Sequence, residues 1–470
     1  MKTTHRLETG PGAHRGTFSA IRLSCLTIAV LGLAAAFGWK PWLQASQQPV
    51  DHRPIASYLQ QPSHSAMTVR WKSATNEPGV VRFGTEPNRL EDSVVEPEAR
   101  TYHEVRLTGL QPSTRYYYST GTRDQTQSGG PDYWFHTSPP PGDSGPVRIW
   151  VQGDPGYWSD DSRAVLDAML QWTARNSRTA RSLIDLWLTT GDNAYKSGTE
   201  AEFQESLFQP YSSLLRNIPY VPTYGNHDAR GSAFPRLFST SNGSAAQPGL
   251  KQQQHYYSFD TGAIHFIMLD STSGKSMDQA QLDWLRNDLK NNQGLWTIAI
   301  LHHPPYTRGS HDSDSWLGSG GRMADVRSRV VPILENGGVD LVLSGHSHAY
   351  ERSYLLACHY GPSRSLRPEM ILDSSPGRPE APYRKALARV PHGGTVYAVI
   401  GASAKVDDAP LNHPAHAVSL GQLGSAVIDI AGPRMDVYFI DSAGEQGDHF
   451  RIEKTSDPGT VPPDCGRPSP

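Results

Sequence analysis

The chain reads as an all-β sandwich domain followed by an α/β domain, and three observations carry that reading. Short runs with strict apolar–polar alternation fill residues 51–138. From Val147 onward, apolar runs alternate instead with helix-length amphipathic stretches, the pattern of strands and crossover helices. Between the two textures lies Thr137 to Pro146, TSPPPGDSGP, whose Pro and Gly content marks a linker.

The first strand signal is the clearest. Met67, Val69 and Trp71 alternate with Thr68, Arg70 and Lys72, which puts one face in a core and the other toward water. Similar runs follow at Val80–Phe83, Tyr102–Leu107, Arg115–Thr120 and Tyr133–Thr137, separated by turn residues at Asn76–Gly79, Pro87–Asn88 and Ser128–Pro131. The stretch Leu110-Gln-Pro-Ser-Thr-Arg-Tyr116 resembles the tyrosine corner of fibronectin type III domains. That resemblance implies a spacer or wall for the next domain; a glycan- or protein-binding role is the alternative.

In the second domain, strands are expected at Arg148–Gln152, Leu183–Thr189, Tyr220–Thr223, Ala263–Leu269, Thr297–Leu301, Asp340–Leu343 and Thr395–Ile400. Helices are expected over Ser162–Arg175, Gln279–Asn291 and Met323–Asn336, the first begun by Asp160 and Asp161. Gly424–Ile430 and Arg434–Ile440 read as a closing antiparallel pair. The resulting boundaries are 1–45 for an export segment, 51–138 for the sandwich, 139–146 for the linker, 147–454 for the α/β domain and 455–470 for a Pro/Gly-rich tail. The stretches Asn242–Gln253 and Gly361–Pro391 read as inserted loops; the latter, long and rich in Pro, Arg and Ser, is expected as surface disorder, with a substrate-gating role over the pocket as the alternative.

Composition narrows the function classes. With 37% hydrophobic and 19% charged residues over 470, the chain has an ordinary globular balance. A net charge of −3 offers no global attraction to nucleic acid, so any anion site must be local. At the N-terminus, Lys2, Arg6, Arg15 and Arg22 precede an apolar run from Leu23 to Phe37, closed by Lys40. This reads as a secretory signal, hence an extracytoplasmic (secreted or periplasmic) protein. The run falls short of the about 20 residues of a spanning helix, and an uncleaved anchor stays open as the only membrane association. Cys25 lies inside this segment. Cys358 and Cys465 are left to form either one disulfide or two free thiols.

Five distant segments close apolar runs with residues that bind metals: Gly-Asp-Pro-Gly at 153–156, Gly-Asp-Asn-Ala-Tyr at 191–195, Gly-Asn-His-Asp at 225–228, Leu-His-His-Pro-Pro at 301–305 and Gly-His-Ser-His at 345–348. In open α/β sheets, loops beyond the carboxyl ends of strands converge, so scattered positions can form one site. Carboxylates and a phenolate favour a hard trivalent ion, whereas imidazoles and an Asn carbonyl suit a divalent one. The set points to a two-metal hydrolytic centre.

These blocks, ending in Gly-His-Ser-His-Ala-Tyr-Glu-Arg at 345–352, resemble the metallophosphoesterases and specifically the purple acid phosphatases, whose larger members carry a similar N-terminal β-domain. The resemblance implies two packed mixed β-sheets flanked by helices. It implies that Asp154, Asp192, Tyr195 and His348 hold Fe(III), with Asp192 bridging to a divalent Zn, Mn or Fe held by Asn226, His302 and His346. His302 competes with His303 and is preferred because it precedes the Pro-Pro-Tyr run at the family's spacing. Two carboxylates and tyrosinate set three negative charges against five; with a bridging hydroxide, about one positive charge remains to hold a phosphate.

Beyond the ligands, the resemblance gives His227 the role of binding the phosphoryl group or protonating the leaving oxygen, and makes His311, nine residues after His302, a second substrate-facing histidine. Asp312 stands where the family often has a second His, and Asp228 where plant members often have Glu. Tyr350, Glu351 and Arg352 are expected to support the His pair, whereas His255, His265, His359 and His392 read as packing or surface residues. His413 and His416 read mainly the same way, with a substrate contact as the alternative. The expected reaction is acid phosphatase hydrolysis of a small-molecule phosphate monoester by in-line attack of metal-bound hydroxide, with no nucleic-acid partner. Phosphodiesterase activity on the same metals is the alternative, and a surface binder with a vestigial enzyme domain the distant one.

Overall fold

The computed structural model describes residues 51–177, 183–239, 255–272, 277–457 and 465. The basic–apolar N-terminal segment, the loop 242–253 and most of the tail lie outside the described residues.

The N-terminal domain consists of β1 (Ile55–Gln60), β2 (Ala66–Gly84), β3 (Asp92–Thr108), β4 (Arg115–Gly121), β5 (Thr126–Ser128) and β6 (Trp134–His136). β2 and β3 are longer than the sequence suggests. The turn expected at 76–79 is instead a pair of register shifts, across which β2 leaves β1 and pairs with β4. Both halves of β2 therefore face one core, built from Met67, Val69 and Trp71 together with Val81, Phe83, Leu107, Tyr118 and Phe135. At the bend, Glu96 accepts hydrogen bonds from the Gly79 N–H at 3.2 Å and from His103 Nδ1 at 2.6 Å. The tyrosine corner is present: the Gln111 N–H donates to Tyr116 Oη at 3.0 Å.

The second domain stacks two mixed sheets. One runs β17 (Tyr383–Ala386), β22 (Gln446–Thr455), β21 (Arg434–Asp441), β20 (Gly424–Ala431), β7 (Val147–Gln152), β8 (Leu186–Thr189) and β9 (Tyr220–Pro222). The other runs β10 (Tyr257–Thr261), β11 (Ile264–Leu269), β12 (Trp296–Leu301), β13 (Leu341–Ser344), β18 (Val396–Ile400), β14 (Tyr350–Ser353) and β19 (His416–Leu420). A two-stranded ribbon, β15 (Leu355–Leu356) with β16 (Ile371–Asp373), stands apart. Strands β7, β8 and β9 are parallel, as are β11, β12, β13 and β18.

Strand alternation explains the layers. Val147, Ile149 and Val151 of β7 meet Phe266, Ile298, Ile300 and Leu343 in the inter-sheet core, while Trp150 points the opposite way. On that outer face Trp150 and Trp187 pack under α1 (Asp160–Arg175) through Ala168, Met169 and Trp172. On the other outer face Ile267, Ala299 and Leu301 pack under α2 (Gln279–Asn291) through Leu282, Leu285 and Leu289. Ser159 caps α1, its hydroxyl accepting from the Ser162 N–H at 3.2 Å.

The helix expected over 323–336 is present over 322–336, with a wider π-turn at 326–330 between its α-helical turns. Pro332 has no N–H to return to Ser328, and the wider turn absorbs the missing bond. The stretch 361–391, read as a surface loop, contributes β16 and the sheet-edge strand β17, with Tyr383 fully buried. Cys358 and Cys465 form a disulfide with Cα atoms 5.1 Å apart, which ties this part of the tail to the domain.

Candidate metal centre

All five motif segments follow parallel strands at their carboxyl ends. Asp154 follows β7, Asp192 and Tyr195 follow β8, Asn226 follows β9, His302 follows β12, and His346 and His348 follow β13. The two sheets deliver these loops to one rim. Asp154, Asp192 and His346 sit at φ of 53°, 53° and 67°, left-handed backbone that a non-glycine residue adopts at a cost. The neighbouring glycines explain how the loops crowd together. A Cβ on Gly225 would lie 2.0 Å from the Asp192 nitrogen, and one on Gly345 would lie 2.2 Å from Asp154 Oδ2.

The seven expected ligands come together. Tyr195 Oη lies 3.2 Å from Asp154 Oδ1 and 3.3 Å from His348 Nε2. His302 Nε2 lies 2.9 Å from Asn226 Oδ1 and 3.4 Å from Asp192 Oδ1, so Asp192 stands between the two halves. Asp154, Asp192 and His302 offer ligand atoms within 4.8 Å of one another, as do His302, His303 and His346. His302 and His303 are both buried, but only His302 is bonded to Asn226; His303 is taken up by Ser271, with Nδ1 and the hydroxyl 2.9 Å apart.

The imidazoles are held from behind, which selects the nitrogen each presents. His302 Nδ1 donates to the Thr190 carbonyl at 2.9 Å, leaving Nε2 for the cluster. His348 Nδ1 meets Asp407 Oδ2 at 2.5 Å and likewise turns Nε2 inward. His346 Nε2 meets Ser319 Oγ at 2.7 Å, so Nδ1 is its remaining donor atom. Burial and the surrounding imidazoles hold His346 and His303 well below the usual histidine range, in the neutral form that ligates metals.

The donor chemistry fits a pair of cations. No Lys or Arg is paired with Asp154 or Asp192 among the described residues; their ion-pair partners are histidines. Burial, together with the charges of Asp154 and Asp192, pushes the Tyr195 phenol well above its ordinary range. Two buried carboxylates beside a phenol, met by imidazoles and by no Lys or Arg ion pair, form a cluster that a metal pair would neutralise.

His227 and His311 lie at the edge of this cluster. His227 shares a T-shaped contact with Tyr195 and donates Nδ1–H to the Lys196 carbonyl at 2.8 Å. His311 stacks flat on His346 with ring centres 4.0 Å apart. Asp312 is exposed and caps the Asp314 N–H, away from the cluster. Tyr350 and Arg352 bond Asp448 on β22, so their support for the His pair is indirect. Glu351 reaches it through Thr307, whose hydroxyl contacts Ser347 at 2.8 Å. His413 is buried against Tyr306 and His416 pairs with Glu351, which accounts for both as packing residues.

Three supports hold the cluster from outside it, and only the first lies in a motif. Asp228 accepts from Asn193 N and Nδ2, Ala194 N and Gly225 N, and so fastens the Asp192 loop to the Asn226 loop. Its place in Gly-Asn-His-Asp was the available signal. Asp407 and Ser319 follow no apolar run, and only the folded chain brings them to the histidines. Beside Asn226 and His346 opens a cavity of about 390 Å³, lined also by Arg230, His303, Ser319 and Arg322.

Two packed mixed sheets with the candidate ligands gathered at the parallel-strand ends have the architecture of the metallophosphoesterases. In agreement, residues 147–350 match the calcineurin-like phosphoesterase family and residues 53–137 match the purple acid phosphatase N-terminal domain. The chain is 28% identical over 302 residues to purple acid phosphatase 21 of Arabidopsis thaliana, covering 59% of this chain and 61% of the relative. It is 29% identical to purple acid phosphatase 22 of the same plant, covering 58% and 60%. The matched region thus spans about three fifths of those relatives. Among solved structures, the yellow lupin purple acid phosphatase PPD1 superposes with a TM-score of 0.66 at 18% identity, covering 86% of this chain and 75% of that one. PhoD superposes at 0.59 and 13% identity, covering 89% and 92%. Over these stretches the chain is similar to the purple acid phosphatases in sequence, and its fold is that of the metallophosphoesterases.

Proposed function

We propose that the chain is an exported dinuclear-metal phosphohydrolase that acts as an acid phosphatase on phosphate monoesters. The observation that carries this reading is the convergence of two carboxylates, a phenol, an amide oxygen and three imidazoles in one cluster, with no Lys or Arg paired to either carboxylate among the described residues. Asp154, Asp192, Tyr195 and His348 would hold Fe(III), and Asp192, Asn226, His302 and His346 a divalent ion. Such a pair, when bound, polarises phosphoryl oxygens and lowers the pKa of water.

The protein's own residues supply the rest. His227 keeps Nδ1–H on the Lys196 carbonyl, so its Nε2 faces the site as proton donor. As an oxygen from water bonds to phosphorus in line, the P–O ester bond breaks and the His227 Nε2 proton passes to the leaving oxygen. The imidazole left behind is the tautomer that Lys196 already selects. His311, stacked on His346 at the edge of the cluster, would face the substrate from beside the divalent-ion ligands. The Cys358–Cys465 disulfide supports an oxidising, extracytoplasmic compartment. Among the described residues no helix is long and apolar enough to cross a membrane.

The test compares kcat/KM for an aryl phosphate monoester with that for the bis-aryl diester. The protein would be loaded with iron plus zinc or manganese, with Asp192→Asn as control. Monoester preference at acidic pH, lost in the control, is expected; diester preference would make it a phosphodiesterase. No turnover at full metal occupancy would leave a binding protein. The iron assignment is tested separately by Tyr195→Phe, which should remove the visible absorption band of the iron-loaded protein.

A further inference from the structure

One cluster of metal-binding side chains is built from residues that the phosphoesterase centre does not use. Cys358, His392 and Cys465 each offer one ligand atom, and these atoms lie within 4.8 Å of one another. Segments far apart in sequence deliver them: Cys358 follows β15, His392 precedes β18, and Cys465 belongs to the tail. All three are half-buried, so solvent and small solutes reach them.

Glu335, in the last turn of the helical segment at 322–336, fastens two of these residues. Its Oε2 accepts from the Cys358 N–H at 2.8 Å, and its carbonyl accepts from the His392 N–H at 2.8 Å. The Glu335 side chain is fully buried, and its ion-pair partner among the described residues is His392, 3.8 Å away. The Tyr360 hydroxyl donates to Glu335 Oε2 at 2.8 Å and lies 3.4 Å from His392 Nδ1 and 3.7 Å from Cys465 Sγ. A carboxylate and a hydroxyl behind the ligand atoms form the kind of outer shell that orients metal ligands. Cys358 and His392 also share left-handed backbone, at φ of 65° and 57°, which costs energy in a non-glycine residue. A disulfide uses Cys358 and Cys465 but gives no role to an imidazole held beside the sulfurs.

We propose that Cys358, Cys465 and His392 form a second metal site, selective for zinc, when their disulfide is reduced. Thiolates and an imidazole are the donors zinc favours, and two thiolates match its charge. Three protein ligands of this kind hold zinc with one position left open. A dithiol supplies the two electrons and is oxidised to its cyclic disulfide. The Cys358–Cys465 bond breaks, and each sulfur gains a proton. Zinc then replaces both thiol protons, which pass to solvent. The tail stays tied to the domain in either state, through the S–S bond in one and through the metal in the other.

The test counts cobalt(II), a spectroscopic stand-in for zinc, on the full chain carrying Cys25→Ser, so that the pair supplies the only thiolates. Protein reduced by a dithiol, then freed of it under argon, should bind about one equivalent more than oxidised protein. A sulfur-to-cobalt charge-transfer band in the near ultraviolet should accompany the gain. Cobalt in the phosphoesterase cluster gives no such band, because that cluster holds no sulfur. His392→Ala keeps both thiolates and should weaken the added binding by about 10-fold or more. Equal cobalt content in reduced and oxidised protein, or equal affinity in His392→Ala, would overturn the site. A second readout leaves all three ligands in place: zinc should slow iodoacetamide alkylation of the reduced pair by about 10-fold or more. Alkylation at the same rate with and without zinc would also overturn it. Neither readout depends on turnover of a phosphate ester.

Discussion

At His348 the imidazole is gripped from two sides, by Asp407 at Nδ1 and by Tyr195 and Asp154 at Nε2. The Asp407 carboxylate fixes the ring and raises the electron density that Nε2 can donate. Asp407 lies in the segment Lys405-Val-Asp-Asp408, which has neither an apolar run ahead of it nor a motif around it. Its side chain is partly exposed, so its Asn or Ala replacement leaves no cavity. Asp407→Asn should therefore lower metal affinity by roughly 10–100-fold with the fold intact, the range seen when a histidine ligand loses its outer partner. Metal content after dialysis against a graded chelator reads this directly; retention equal to wild type would remove Asp407 from the site.

Strand β11 illustrates how a polar residue pins an element. His265 sits between Asp260 on β10 and Asp288 on α2, bonded to them at 2.7 and 2.9 Å. Burial alone would lower its pKa, but the two carboxylates more than offset this and push it up to about 9. A folded-state value above the unfolded one contributes stability that is complete below pH of about 6.5 and lost as pH rises through about 9. The contribution is on the order of 2 kcal/mol after allowing for the exposure of Asp260. Urea unfolding across that window should show a declining free energy, and His265→Gln should flatten the decline. A wild-type profile level from pH 6.5 to 9 would sink this account. The elements visible in sequence were those whose buried faces are apolar, such as β7, β12 and β13. Strands β14 and β22 were not, because each buries charge: Arg352 pairs with Asp448, and Lys454 with Asp340. Alternation assigns such residues to solvent, and their partners lie about a hundred residues away, beyond any local pattern. The candidate ligands were legible for the opposite reason, each lying within about six residues past a strand that was itself apolar.

At the scale of the whole molecule, the Pro/Gly linker marks a domain boundary in sequence, yet the described residues from Asp51 onward belong to one compact unit. The linker itself is bonded down: Gly142 N–H to the Gly262 carbonyl at 3.0 Å, and Ala263 N–H to the Asp143 carbonyl at 2.8 Å. Ile55 and Tyr58 of β1 enter the same apolar cluster as Phe203, Phe208 and Phe238 of the catalytic domain. Across that contact Lys72 of β2 forms an ion pair with Glu200, whose side chain is fully buried, and Tyr102 donates to the same carboxylate at 2.6 Å. A sandwich face spent in this way acts as a wall and is not free to bind a glycan or a partner. Removing Glu200 would leave the Lys72 ammonium buried without its counter-charge, a loss of about 3–5 kcal/mol. Because the interface is continuous core, that loss should lower one shared calorimetric transition in Glu200→Ala, with both domains unfolding together in wild type and variant. Two resolved transitions in the wild type would mean that the sandwich folds on its own and that the apolar contact contributes little. Two transitions in the variant alone would instead identify the Lys72–Glu200 pair as the contact that couples the domains.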